Sequence, residues 1–95
     1  MKNENRADPR EQVHLPLRLG GGGRGVTQDI SASGLFFLTD SAQRVGSQLE
    51  IEIELDTPSG PMKLAASGEI LRIEPRGGQT GVAVRLVDSR LVPVV

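Results

Sequence analysis

Two short stretches of the chain carry polar residues whose types and spacing suit ligand binding. The first holds Arg6 and Arg10, four positions apart, and the second holds Asp29, Ser31 and Gly34. Arginine pairs bidentately with phosphate and stacks on flat rings, whereas a carboxylate accepts hydrogen bonds from neighbouring donors. Neither stretch contains a nucleophile with a base beside it, so the chemistry these residues favour is binding, not turnover, and an enzyme is not expected.

The second stretch is predicted to be a corner between two strands. If residues 25 to 31 are extended, Thr27, Asp29 and Ser31 project from one face of the strand. Gly34 supplies the freedom that a sharp corner needs, either for a positive φ or for the close approach of a ligand. A second interpretation stays open, in which Asp29 and Ser31 form turn contacts with nearby backbone N–H groups.

The first stretch lies in a polar N-terminal segment, residues 1–11. Spacing of four would align Arg6 and Arg10 on a helix, but Pro9 disfavours the helical conformation at Asp8. The segment is therefore predicted to be a flexible arm that carries two arginines ahead of the folded domain.

Composition narrows the class of protein. A chain of 95 residues is one domain, and its 12 Gly, 6 Pro and only 2 aromatic residues favour a turn-rich β fold with an aliphatic core. The net charge of −1 gives no support for binding DNA or RNA. With no Cys and a single histidine, His14, the chain offers no ordinary metal-ligand set, and His14 is predicted to face solvent.

The start of the chain and its apolar runs indicate where in the cell the protein is expected. The first residues are polar and lack the apolar centre of a signal peptide, and the run from Leu35 to Leu38 is far too short to span a bilayer. A cytoplasmic location without membrane insertion is therefore expected.

Alternation of apolar and polar residues predicts six β-strands. The clearest runs from Gln48 to Asp56, where Glu50, Glu52 and Glu54 would occupy the exposed face. Pro16 is expected to place the first strand at an edge or to force a local irregularity, and Gly68 to bend or bulge the fifth strand. The predicted strands lie at residues 12–19, 26–30, 35–39, 48–56, 62–74 and 81–88. We predict an all-β fold, an antiparallel meander closed into a six-stranded barrel over residues 12–88, followed by a tail over residues 89–95.

At these residues the chain resembles the PilZ domain, a bacterial receptor module for cyclic di-GMP. The family's signature is Arg-x-x-x-Arg, matched by Arg6 to Arg10, followed by Asp-x-Ser-x-x-Gly, matched by Asp29 to Gly34. The order of the two motifs and their β context are more specific than either motif alone. The resemblance extends over nearly the whole chain.

The resemblance implies a cyclic di-GMP site formed by Arg6, Arg10, Asp29, Ser31 and Gly34, with no cofactor and no metal. The arginines would clamp phosphate and guanine, and the arm would become ordered on binding and signal to a downstream protein partner. Two features depart from many relatives. Asn5 stands where a further arginine often does, which leaves open whether one ligand or a stacked pair binds, and little or no C-terminal helix is expected. The alternative is a protein-interaction or structural β-barrel domain that does not bind the nucleotide.

Overall fold

The computed structural model of the protein describes residues 12–94, and these residues form a closed antiparallel β-barrel without a helix. Around the barrel the strands follow the order β1-β2-β3-β6-β5-β4. The strands are β1 (Pro16–Leu19), β2 (Arg24–Ile30), β3 (Gly34–Thr39), β4 (Gln48–Thr57), β5 (Gly60–Arg76) and β6 (Gln79–Pro93). The predicted six-stranded antiparallel barrel is therefore confirmed.

The connection from β3 to β4 differs from a simple meander. β3 pairs with β6, and β4 crosses over to pair with β1. Two three-stranded meanders, β1-β2-β3 and β4-β5-β6, are thus joined at both edges, and this closes the barrel. The difference matters for function because β3 acquires β6 as its neighbour, with β5 next beyond it.

An aliphatic core fills the barrel, as the alternating pattern predicts. In β4, Leu49, Ile51 and Ile53 are buried, while Glu50 and Glu52 face solvent. Period-2 alternation separates the two faces of a strand that is buried on one side. The other buried members of the core are Leu17, Leu19, Leu35, Phe37, Ile70, Val82 and Val84.

The first strand is shorter than predicted. β1 begins at Pro16, a position that tolerates proline because a strand's first residue need not donate to the ladder. Ahead of it, Thr27 holds the chain to β2: its hydroxyl accepts from the Leu15 N–H at 2.8 Å and donates to the Val13 carbonyl. The segment before β1 is therefore fixed against β2 by a side chain. His14, as predicted, is exposed.

The last strand is longer than predicted. It does not end at Asp88 but continues to Pro93, because residues 89–93 pair in register with the start of β5. Leu91 faces Leu64 across this pair, so apolar residues that the sequence pattern assigned to a tail extend the sheet instead.

A bulge in β2 overturns the predicted arrangement of its faces. Thr27 pairs with Phe37 and Asp29 pairs with Phe36, so the register shifts at Gln28. An extra residue in one strand reverses the alternation beyond it. Thr27 is accordingly 0% exposed inside the barrel, and Asp29 lies on the outer face. The prediction that Thr27 and Asp29 share a face is wrong.

Gly68 lies at a second register shift, but the extra residue there is Val87 of β6, since Ser67 pairs with Asp88 and Gly68 with Leu86. The bulge of the fifth strand itself lies at Leu71, between Ile70 and Arg72, and not at the predicted Gly68. A Cβ at Gly68 would lie 2.5 Å from Val84 Cγ1 and 2.6 Å from the Arg85 carbonyl oxygen. The backbones of β5 and β6 therefore approach too closely here for a side chain.

We expect Gly68→Ala to lower the free energy of unfolding by about 1–3 kcal/mol, because the added methyl group must displace β6 backbone. Urea denaturation followed by circular dichroism measures the change. Ser67→Ala, one residue away, is the control and should leave the midpoint nearly unchanged. Equal midpoints for Gly68→Ala and the unsubstituted chain would show that β6 yields freely at this position.

Candidate functional site

The corner between β2 and β3 is held by short-range hydrogen bonds. The Ser31 N–H donates to the Gly34 carbonyl at 2.9 Å, and the Gly34 N–H donates to Ser31 Oγ at 3.1 Å. The Leu86 N–H donates to the Ser33 carbonyl at 2.9 Å, which ties the corner to β6. The turn contact considered for Ser31 is thus present, and hydrogen bonds within the protein set the shape of the corner.

Gly34 is required by close packing and not by its φ angle. Its φ lies outside the positive range, so that explanation of the glycine is wrong. A Cβ at Gly34 would lie 3.3 Å from the Val84 carbonyl oxygen and 3.8 Å from Ser31 Oγ. A side chain here would therefore crowd the backbone of β6, whereas its contact with Ser31 would be an ordinary one.

A groove of about 460 Å³ lies on the outer surface of the barrel beside this corner. Asp29, Ser31 and Gly34 line it at one side, on and next to β2 and β3. The opposite side is formed by three arginines of β5 and β6: Arg72, Arg76 and Arg85. The groove thus brings the three residues of the second motif together with three guanidinium groups.

Strand register explains how residues so distant in sequence meet in this groove. Asp29 pairs with Phe36, Phe36 with Ala83, and Ala83 with Arg72, which forms one row across four strands. Adjacent strands are about 4.8 Å apart, so the row is roughly 15 Å long. Asp29 and Arg72 therefore stand at opposite ends of a continuous exterior surface.

The floor of the groove contains a stacked arginine. The guanidinium carbon of Arg76 lies 4.9 Å from the centroid of the Phe36 ring, a cation–π distance. The ring in turn covers Gly81, where a Cβ would lie 2.6 Å from Phe36 Cζ. The glycine on β6 thus makes room for the ring on β3, and the ring supports Arg76 on β5.

Carboxylates of β5 orient the arginines. Arg76 donates to Glu74 Oε2 from Nε at 3.1 Å and from Nη2 at 2.7 Å. Arg72 Nε lies 3.5 Å from Glu74 Oε1, and Arg85 donates to Glu69. The hydrogen bonds from Arg76 hold the pKa of the Glu74 carboxyl below its usual value. Glu74 therefore stays ionised, and keeps its hold on Arg76, to a lower pH than an isolated glutamate would.

The groove presents charges of both signs, because Glu69 and Glu74 lie next to its arginines and partly offset their charge. Its lining includes three guanidinium groups and one carboxylate, Asp29. An anionic ligand would be attracted to the arginine side, while Asp29 would be left to meet a hydrogen-bond donor on the same ligand.

The structure places the predicted site residues in two groups. Asp29, Ser31 and Gly34 line one groove, whereas Arg6 and Arg10 lie outside the described residues. Sequence reasoning missed Arg72, Arg76 and Arg85, together with Phe36 beneath them. The signal available in the sequence was the alternation of Arg72, Glu74 and Arg76, which places three charged side chains on one face of a strand.

A metal site and a membrane-spanning helix are both absent from residues 12–94. These residues contain no cluster of histidine and carboxylate side chains that would hold a metal ion. None of them belongs to a helix with the length and apolar character needed to cross a membrane.

Comparison with known proteins identifies the family. The PilZ domain model matches residues 4–92. The fold is similar to the inhibitor of motility MotI/DgrA of Bacillus subtilis, with 16% identity, a TM-score of 0.77 and coverage of 90% of this chain and 44% of the other. It is also similar to the PilZ domain of Escherichia coli YcgR, solved with c-di-GMP, with 16% identity, a TM-score of 0.68 and coverage of 90% and 79%.

The chain thus spans less than half the length of the motility inhibitor, and no curated protein sequence matches it. The family match nevertheless covers nearly all of its residues and agrees with the barrel and with the corner that closes β2 onto β3. The chain belongs to the PilZ domain family.

Proposed function

We propose that this protein is a receptor for cyclic di-GMP, which it binds through Arg6, Arg10, Asp29, Ser31 and Gly34. The observation that carries the proposal is the groove, where the Asp-x-Ser-x-x-Gly corner faces a row of guanidinium groups. Family membership supports it, as does the similarity to a PilZ domain solved with c-di-GMP.

The chemistry of the groove divides the ligand into two parts. Guanine presents N1–H and the exocyclic N2–H as neighbouring donors, which a single carboxylate such as Asp29 accepts together. Adenine lacks this pair of donors, so Asp29 selects against it. The two phosphates are anionic and bind to arginine, the side chain with a planar pair of N–H donors.

The N-terminal segment is long enough for its arginines to reach the site. Thr27 lies two residues before Asp29 on β2, and its hydroxyl holds Val13 and Leu15 beside that strand. Arg10 lies three residues before Val13, and Arg6 lies seven residues before it. At about 3.3–3.6 Å per residue, the backbones of Arg10 and Arg6 can therefore reach up to about 10 Å and 25 Å from Val13. These two lengths lie on either side of the roughly 15 Å length of the row that crosses the groove.

Binding in this arrangement orders the arm over a rigid barrel. The corner is already fixed by its own hydrogen bonds, so the conformational change is confined to the arm, whose ordering costs part of the binding energy. A downstream protein that recognises the ordered arm would receive the signal. The domain acts as a receptor that releases the ligand unchanged.

Calorimetric titration of the folded chain with cyclic di-GMP tests the proposal. We expect saturable heat at micromolar ligand and binding to cyclic di-AMP that is weaker by at least tenfold, since each mispaired base costs about 1–3 kcal/mol. No heat from a protein that melts cooperatively would overturn the proposal. Ligand recovered unchanged after long incubation is expected for a receptor.

Arg76 is expected to contribute to affinity from the barrel itself. Its guanidinium is held between Glu74 and the Phe36 ring, so little side-chain freedom is lost when a ligand binds. We expect Arg76→Ala to weaken cyclic di-GMP binding about fivefold to tenfold, the size of one cation–π or partly exposed charge contact.

Arg18→Ala is the matched control for Arg76→Ala. Arg18 is an exposed strand arginine on β1, outside the groove, and its removal changes the net charge equally. Equal affinities for the two variants would show that Arg76 contributes only long-range charge.

A further inference from the structure

The end of β6 has one strand neighbour where the rest of the strand has two. β3 pairs with β6 from Thr80 to Arg85, and the Leu86 N–H still reaches the Ser33 carbonyl. β5 pairs with β6 as far as Pro93. Among residues 12–94, none pairs with the other side of β6 over residues 87–93, so this side is an open sheet edge.

Backbone alternation identifies the groups along this edge. The Val94 N–H donates to the Pro61 carbonyl, so Val94 faces β5. Successive residues of a strand point their N–H and C=O groups to opposite sides. Ser89 and Leu91 therefore present their backbone donors and acceptors to the open side, where they form a template for a further strand.

The side chains along the edge are complementary to themselves. Residues 87–91 read Val-Asp-Ser-Arg-Leu, and all five are exposed. When two copies of this segment run antiparallel about Ser89, Asp88 of each copy lies opposite Arg90 of the other, and Val87, the bulged residue of β6, comes next to Leu91 at the end of the pairing. Opposite charges and apolar residues in directly facing positions stabilise an antiparallel pair.

We propose that the open edge of β6 is a homodimer interface, at which two copies of the chain pair antiparallel about a two-fold axis through Ser89. The interface joins the β4-β5-β6 sheets of the two copies into one continuous sheet. It covers Val87 and Leu91, which are 59% and 50% exposed in the single chain. Each copy uses this edge once, so the assembly closes at two.

A second open edge shows why β6 is the one that pairs. β4 extends beyond its pairing with β1, which ends at Ile53. The end of β4 carries Glu54 and Asp56, whose like charges would face each other if two copies of this strand paired, and would destabilise the pair. Pro93, which has no N–H, limits the β6 pairing to a few residues and prevents a longer aggregate. A contact of this length is smaller than a standard interface, so the dimer is expected to be concentration-dependent.

Cysteine cross-linking tests the two-fold axis directly. The chain has no Cys, so Ser89→Cys introduces the only thiol. Paired residues on the axis have Cα atoms about 5.5 Å apart, within the range of a disulfide. We expect mild oxidation to convert Ser89→Cys into a covalent dimer that a reducing agent separates.

Asp56→Cys, on the open edge of β4, is the control and should remain monomeric under the same oxidation. A monomeric Ser89→Cys would overturn the proposal; it is the result expected if residues 1–11 of the same chain, and not a second copy, cover this edge. Equal cross-linking of both variants would also overturn it, because random collision would then explain the dimer.

Charge exchange tests the register. In Asp88→Arg, the introduced arginine of each copy faces Arg90 of the other copy, so two attractive pairs are lost and two repulsive pairs are gained. The dissociation constant of the dimer, measured by sedimentation velocity, should rise about tenfold. Adding Arg90→Asp restores opposite charges and should return the dissociation constant to within about threefold of the original. A double variant as weak as the single one, with an unchanged melting temperature, would overturn the proposed pairing.

Discussion

Arg10→Ala is expected to abolish measurable cyclic di-GMP binding without lowering the melting temperature of the domain. Removing one partner of a hydrogen-bonded charge pair costs about 2–5 kcal/mol, which corresponds to a loss of affinity of about 30-fold or more. Arg10 precedes the barrel, whose core is complete within residues 12–94, so stability should not depend on it. Calorimetric titration measures the affinity, and thermal denaturation measures the stability.

Arg18→Ala provides the comparison for Arg10→Ala. It removes the same charge from an exposed position on β1, and it should retain most of the affinity because surface charges at a distance are screened by salt. If both variants bound equally well, the arm would have no direct contact with the ligand. If Arg10→Ala instead lowered the melting temperature, the arginine would belong to the fold and not to the site.

The elements that local alternation determines were predictable from sequence. β4 was predicted to within one residue at its end, because its apolar and acidic residues alternate without interruption. Thr27 was assigned to the wrong face because a bulge at Gln28 reverses the alternation, and nothing in the local residue types marks that bulge. The extension of β6 to Pro93 was missed because it depends on the partner strand β5, which lies more than 20 residues earlier in the chain.

The candidate site was predictable in part for the same reason. Asp29, Ser31 and Gly34 lie within six residues of one another, so a motif can describe them. Arg76 joins them through the pairing of β3 with β6 and of β6 with β5, a long-range arrangement that the predicted meander did not contain. A site formed by side chains of several neighbouring strands can therefore be predicted from sequence only in part.

The hydrogen bonds of the corner separate its structural role from its proposed binding role. Ser31 Oγ already accepts from the Gly34 N–H, so it shapes the turn in the ligand-free domain. Such a contact preorganises the corner, which lowers the ordering cost when a ligand binds. Turn formation and ligand binding are thus compatible functions of the same serine, and Asp29 is the residue on which the two can be distinguished.

Asp29→Ala is expected to reduce selectivity for cyclic di-GMP more than any other single change in the barrel. Loss of the carboxylate leaves guanine N1–H and N2–H without their acceptor and should weaken binding by about 1–3 kcal/mol, roughly fivefold to 150-fold. Cyclic di-AMP makes no such contact, so its weak binding should hardly change, and the ratio of the two affinities should fall by the same factor.

Competition titrations of the two dinucleotides against Asp29→Ala measure that ratio. Asp40→Ala is the control, since Asp40 is an exposed carboxylate outside the groove. Asp29 also has contacts within the fold, so the melting temperature of its variant is measured alongside. A large loss of stability with an unchanged ratio of affinities would assign Asp29 to the turn alone. A fall in the ratio at constant stability would assign it to the recognition of guanine, because a carboxylate that only shapes the corner cannot distinguish one base from another.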